Sequence, residues 1–143
     1  MLANKMVVVI ADDAPVGVAL NTAALLGVAL GHHHEDVVGP SVADASGAVH
    51  AGMSAHPIPV LRAPADRLRE LRDQAASRDG VTVHDMNQVA QRSRTYDQFM
   101  ATMSGTKAED LDYLGLAIYG PRATVDSLTG ALALYRGVVG QSG

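Results

Sequence analysis

Residues Leu114 to Arg136 read LGLAIYGPRATVDSLTGALALYR, and the fold turns on this stretch. Its opening run is apolar and has the length of a strand. Gly120–Pro121 leads into a short amphipathic helix, because proline's fixed φ and missing N–H suit a first helical turn. Val125, Leu128 and Leu132 share a face, and Gly130 breaks the helix. A second apolar run follows. The rest of the chain is expected to pack on this strand–helix–strand unit.

At the other end, Lys5–Ile10 (KMVVVI) is β-branched and continuously apolar, as in a central strand covered on both faces. Asp12, Asp13 and Pro15 turn the chain. Gly17–Leu30 (GVALNTAALLGVAL) has helical length and is apolar nearly all round, which predicts burial on most sides, with Gly31 as its C-terminal cap. Asn21 and Thr22 are its polar side chains. They are either a hydrogen-bonded structural pair or part of a pocket. His32, His33 and His34 follow, with Glu35 and Asp36 nearby. Consecutive histidines seldom aim at one ion, so a polar loop at a helix C-terminus is the favoured reading over a metal site.

Further along, Asp44–Gly47 reads as a turn between short extended pieces. His56–Arg62 holds two prolines and predicts an edge strand. Pro64 opens a helix with Leu68, Leu71 and Ala75 on its apolar face, and Arg69 and Asp73 are spaced for an i,i+4 contact. Val81–Asp85 alternates as a strand should. Asn87 can cap the next helix, where Val89, Ala90, Ser93, Tyr96, Met100 and Met103 form a stripe. Thr106 and Glu109 match a capping box. Alternating strands and helices predict an α/β protein with a sheet between helix layers.

The 143 residues suit one domain, expected over 4–136, with a flexible tail over 137–143. Hydrophobic content is 48%, yet there is one Phe and no Trp, so Val, Leu, Ala and Met must build the core. The net charge of −4 disfavours a broad nucleic-acid footprint, which needs clustered Lys and Arg. The lack of cysteine excludes disulfides, thiolate nucleophiles and Cys-ligated metals. No apolar run approaches the roughly 20 residues that span a bilayer. Met1–Ile10 fits a strand better than a signal peptide. A cytoplasmic protein is expected, with neither a metal nor a cofactor.

Three stretches together resemble the type II peptidyl-tRNA hydrolase fold. They are Lys5–Ile10 continuing through Asp13 and Gly17 into an Ala-rich helix, the strand ending at Asp85, and Tyr119-Gly120-Pro121-Arg122 with Val125-Asp126 and Thr129-Gly130. The whole chain is still more similar to an uncharacterised, mostly bacterial family with that fold, through Asp13, Pro15, Gly17, Asn21-Thr22-Ala23, Arg94-Thr95-Tyr96 and Tyr119-Gly120-Pro121-Arg122. The resemblance covers about residues 4–136. It implies a three-layer α/β sandwich: a four-stranded mixed sheet, one strand antiparallel, with helices on both faces, often in a homodimer. The hydrolases carry a Lys after the helix-opening Gly, where Val18 stands here, and a Thr where Val89 stands.

Two functions follow as expectations. The first is a small-ligand-binding or assembly protein, with Asp13, Gly17, Arg94, Tyr96, Gly120 and Pro121 as ligand-binding candidates. The alternative is a divergent hydrolase or acyl-transfer enzyme acting on an acyl ester or acyl-tRNA. There Asp85 would orient a water, with Asn21 and Thr22 completing a deep polar pocket. A second copy of the chain and a small molecule are the expected partners, with tRNA left open.

Overall fold

The computed structural model of the chain describes residues 3–137. Its elements run β1 (Asn4–Ala11), α1 (Val16–His33), β2 (Val42–Ala43), β3 (Val49–His50), β4 (Val60–Ala63), α2 (Ala65–Ala76), β5 (Thr82–Asn87), α3 (Gln88–Arg92), α4 (Tyr96–Ser104), β6 (Tyr113–Pro121) and α5 (Arg122–Thr129). A 3₁₀ turn occupies Ala108–Asp110. The main sheet has four strands in the order β4-β1-β6-β5. β1 pairs parallel with β4, while β6 lies antiparallel to both β1 and β5. It is a mixed α/β fold, and β2 and β3 form a separate small hairpin.

The β-branched run of β1 is buried from Met6 through Ala11, because this strand has a neighbour on each side and helices against it. The sequence pattern of β6 has the same outcome: Leu116, Ala117 and Ile118 are wholly buried. Leu68, Leu71 and Ala75 of α2 and Val125 and Leu128 of α5 close the core. The α2 stripe therefore falls where its spacing places it.

Several expectations need correction. α1 is not buried on most sides. Ala19, Thr22, Leu26 and Leu30 are buried, but Leu20 and Val28 are 67% and 70% exposed. Apolar composition alone does not say how many sides of a helix find a partner. Gly31 does not end α1, which continues to His33; Gly31 is not among the residues with positive φ, so the left-handed cap never forms. At 18 residues α1 is also long and apolar enough to cross a membrane by length and composition, although one face of it lies on the sheet. Arg69 does not meet Asp73. It donates instead to the carbonyls of Ala108, Glu109 and Leu111, tying α2 to the loop before β6. Thr106 forms no capping box and donates to the Thr102 carbonyl. The last apolar run is not a full strand. It makes one bridge, Leu134 with Leu61, and covers the outer side of β4, accepting from the Arg62 N–H at Ala133 and donating to Val60 from Tyr135. The expected flexible tail, apart from Gly137, lies outside the described residues.

Candidate functional site

The register of β6 decides which side chains can meet. Gly115 faces α1: a Cβ there would stand 2.7 Å from Thr22 Cγ2 and 3.2 Å from Ile10 Cδ1. Side chains alternate along a strand, so Leu116 points the other way. Asp85 is the partner of Leu116 and His84 the partner of Ala117. His84 thus lies under α1, and Asp85 projects from the opposite face, where its charge reaches Tyr113. Asp85 is exposed and its carboxylate accepts from Asn87 Nδ2 at 3.3 Å.

The sequence-named residues therefore do not converge on one site. Thr22 is fully buried, its methyl filling the space above Gly115, and its Oγ1 has no hydrogen-bond partner among the described residues. Asn21, one residue earlier, is exposed. The deep polar pocket expected between α1 and the end of β5, with a partly buried Asp85, is not formed among the described residues. Asp13 and Gly17 lie exposed where β1 turns into α1. Gly120 and Pro121 stand at the far end of the sheet, because β6 runs antiparallel to β1 and pairs Gly120 with Lys5. Gly120 has a packing role there: a Cβ would come within 3.0 Å of the Gly80 carbonyl.

Arg94 and Tyr96 do share a cavity. It holds about 280 Å³ and is lined by Leu25 of α1, Ala90 and Ser93 around α3, and Arg94, Thr95, Tyr96 and Phe99 at the start of α4. Two caps build it. Asn87 Oδ1 accepts from the N–H groups of Val89 and Ala90 at 3.0 and 3.2 Å and starts α3. Thr95 Oγ1 accepts from Gln98 N–H at 3.1 Å and starts α4, while Gln98 Oε1 holds the Arg94 N–H. The turn between them presents the Arg94 side chain, which has no ion-pair partner among the described residues. Asn21 precedes Leu25 by four residues and so lies on the same side of α1.

The other end of the sheet carries a polar network that periodicity did not reveal. Tyr119 Oη accepts from Asn4 Nδ2 at 2.9 Å and donates to Asp36 Oδ1 at 2.6 Å. The bond from Tyr119 is the main reason the Asp36 carboxyl is held below its ordinary value, and burial first, then Asp36, pushes the phenol up. The Tyr119 ring stacks on His34 at 3.8 Å between centroids. His34 Nε2 lies 3.1 Å from His84 Nε2, so one ring donates and the other accepts. Burial holds both imidazoles below the usual histidine range; at His84 the neighbouring His34 and His33 lower it further, while at His34 the Asp36 carboxylate works the other way. His56 Nε2 donates to the Asp36 carbonyl at 2.7 Å. His33 stacks on the same His84 ring at 5.3 Å between centroids, and among the described residues no group of three or more His, Asp or Glu side chains is placed to hold a metal ion. The signal for this network was the Tyr119 of the Tyr-Gly-Pro-Arg motif, but its partners lie up to 115 positions away in the chain.

A mixed four-stranded α/β domain with a small cavity beside its first helix is the class that this geometry defines. The chain belongs to the family described as "Protein of unknown function (DUF2000)", whose model matches residues 4–136. No curated protein matches it. Its structure is similar to that of a protein of unknown function from Agrobacterium tumefaciens, with a TM-score of 0.86 and 23% identity, covering 95% of this chain and 100% of that one. That likeness speaks for the fold alone.

Proposed function

We propose that the chain is a binding protein that takes a small molecule with an apolar body and an acidic group into the cavity beside α1. The unpaired Arg94 guanidinium at the rim of an apolar hollow carries this reading. Leu25, Ala90 and Phe99 would cover the body of such a ligand, and the planar guanidinium fork would meet a carboxylate in two parallel bonds. One guanidinium is not a basic track, so tRNA is not the ligand proposed. Hydrolysis of an acyl ester has less support, since Asp85 projects from the sheet face opposite Thr22. The helix placements, α1 over the Gly115 side and α2 packed with α5, support the three-layer reading and its type II peptidyl-tRNA hydrolase-like resemblance.

Calorimetric titration with octanoate, against octanol as the uncharged control, tests the ligand. Octanoate should bind and octanol should bind more weakly. Arg94→Gln should weaken octanoate about tenfold, the loss of one charge-assisted contact. Equal binding of the two probes, or an unaffected Arg94→Gln variant, sinks the reading.

Homodimer assembly is a second reading, favoured by α1 itself. Val16, Leu20 and Val28 are exposed, with Ala24 between them at the same four-residue spacing. No charged residue occurs from Val16 through Gly31, so two copies could meet here without repulsion. Ridges at i±4 can interdigitate across a two-fold axis, and a small residue at the crossing brings the helices close. Sedimentation velocity should show a dimer that Leu20→Glu converts to monomer. A wild-type chain that is monomeric at every concentration discards this reading.

A further inference from the structure

A second cavity, of about 190 Å³, opens at the polar end of the sheet and is lined by Asn4, Lys5, His56, Pro57, Pro59 and Arg122. We propose that it is an oxyanion site, taking phosphate or the phosphoryl head of a phosphomonoester. The proposal is independent of the cavity beside α1.

Its lining carries two fixed positive charges and no carboxylate, in a chain whose net charge is −4. The two cations come from distant parts of the sequence and are placed by pairing. Asn4 opposes Pro121 and Lys5 opposes Gly120 across β1 and β6, so Lys5 and Arg122 emerge side by side. The N–H of Arg122 is bonded to the Ala3 carbonyl, which anchors the start of α5 beside the cavity. α5 begins there without a side-chain cap. Its positive dipole end adds to the attraction for an anion.

His56 supplies the observation that points to a ligand. Its side chain is only 9% exposed. Its Nε2 is committed to the Asp36 carbonyl, which can only accept, so Nε2 carries the hydrogen. Nδ1 is buried with no hydrogen-bond partner among the described residues. A buried polar atom left unmet is costly, and it is relieved when a partner arrives. With the hydrogen on Nε2, Nδ1 is the acceptor of the ring, and the P–O–H of a hydrogen phosphate is the donor it lacks. Pro57 and Pro59 frame the same wall and bring no N–H of their own.

The neighbouring acids do not fill the cavity. Asp126 holds Lys5 Nζ at 2.6 Å, and Asp36 Oδ2 lies 3.8 Å from His56 Nε2. Asp126 anchors the Lys5 ammonium and Asp36 stands beside the His56 ring, and neither belongs to the lining. Arg122 also keeps contacts of its own. An arriving dianion would share these cations with carboxylates already present. The fork of Arg122 and the ammonium of Lys5 offer donors and the His56 Nδ1 offers an acceptor for a P–O–H, which suits a tetrahedral hydrogen phosphate better than a flat anion.

Amide NMR of the whole chain tests the site. Inorganic phosphate would be titrated at constant ionic strength, with chloride as the reference, and methyl phosphate and dimethyl phosphate as further arms. Saturable shifts should appear at Lys5, His56, Arg122 and Ala123 with phosphate and methyl phosphate, and not with dimethyl phosphate. Arg122→Gln should weaken phosphate about tenfold or more, and Arg94→Gln should leave it unchanged. Methyl phosphate binding tighter than phosphate assigns the site to a phosphomonoester; the reverse assigns it to the free ion. Phosphate acting no better than chloride, or shifting only amides remote from the cavity, overturns the proposal. These readings come from the folded wild type, so a variant that fails to fold does not rescue it.

Discussion

The two ends of α1 stand in different worlds. Near its start the helix presents Val16 and Leu20 to solvent, and Leu25 edges an apolar cavity whose single charge is Arg94. At its finish His34 is stacked on Tyr119, bonded to His84 and one contact away from Asp36. The cavity is built by the caps of α3 and α4 and left open. The second end is held by side chains from five separate stretches, those of Asn4, His34, His56, His84 and Tyr119. Open apolar surface invites a partner, whereas a satisfied polar network fixes geometry. One helix therefore joins an open apolar surface to a polar network at the sheet's end.

The most damaging way to break this contrast is to unseat α1. Gly115→Val should destabilise the fold by about 3 kcal/mol, since the new side chain meets Thr22 and the Val9 carbonyl. Urea unfolding measures it, and Thr22→Ala should recover part of the loss but not all, because the carbonyl remains. If Gly115→Val is tolerated, the close seat of the helix is wrong. Next in size, Asn87→Ala removes the cap of α3 and should cost about 1–2 kcal/mol. It should also weaken octanoate, since the Arg94 turn hangs from that helix, and leave the His34 resonances still.

Tyr119→Phe sharpens the comparison at the other end. The loss should be about 0.5 kcal/mol, since Asp36 is exposed and water screens its bond to Tyr119. Asp36 should then titrate nearer its ordinary 3.8. A carboxyl depressed in the folded state stabilises above its unfolded value and loses that contribution as pH falls through the folded one. The acid limb below pH 3.8 should accordingly flatten in this variant. The smallest effect concerns the paired imidazoles. Both are depressed mainly by burial, so their contribution is complete above pH 6.5 and declines as pH falls through the folded values. His84→Gln should reduce that slope, read from urea midpoints on either side of pH 6.5. An unchanged slope would mean that burial does not hold His84 below its ordinary range in the folded protein.

Local chemistry made much of the fold legible. The MVVVI run of β1, the LGLAIYG run of β6 and the cap at Asn87 needed only period, length and turn residues. Side-chain convergence was not legible, because it depends on register. Asp85 and His84 are neighbours in sequence, yet one faces α1 and the other faces away. Arg94 and Tyr96 were found as candidates through motif resemblance, but the apolar wall of Leu25 depends on how α1 sits. The helix itself misled, since composition reports apolarity and says nothing of which side is covered.

The order of the sheet also has a price in time. Among the described residues β6 is the last strand made, yet it lies between β1 and β5, and β5 has no other strand partner there. A nascent chain that ends before Tyr113 can pair β1 only with β4 and must leave two backbone edges bare. Such edges recruit other chains. Synthesis of this protein should therefore leave its sheet incomplete until Tyr113–Pro121 has left the ribosome, and a form shortened to before Tyr113 should not fold.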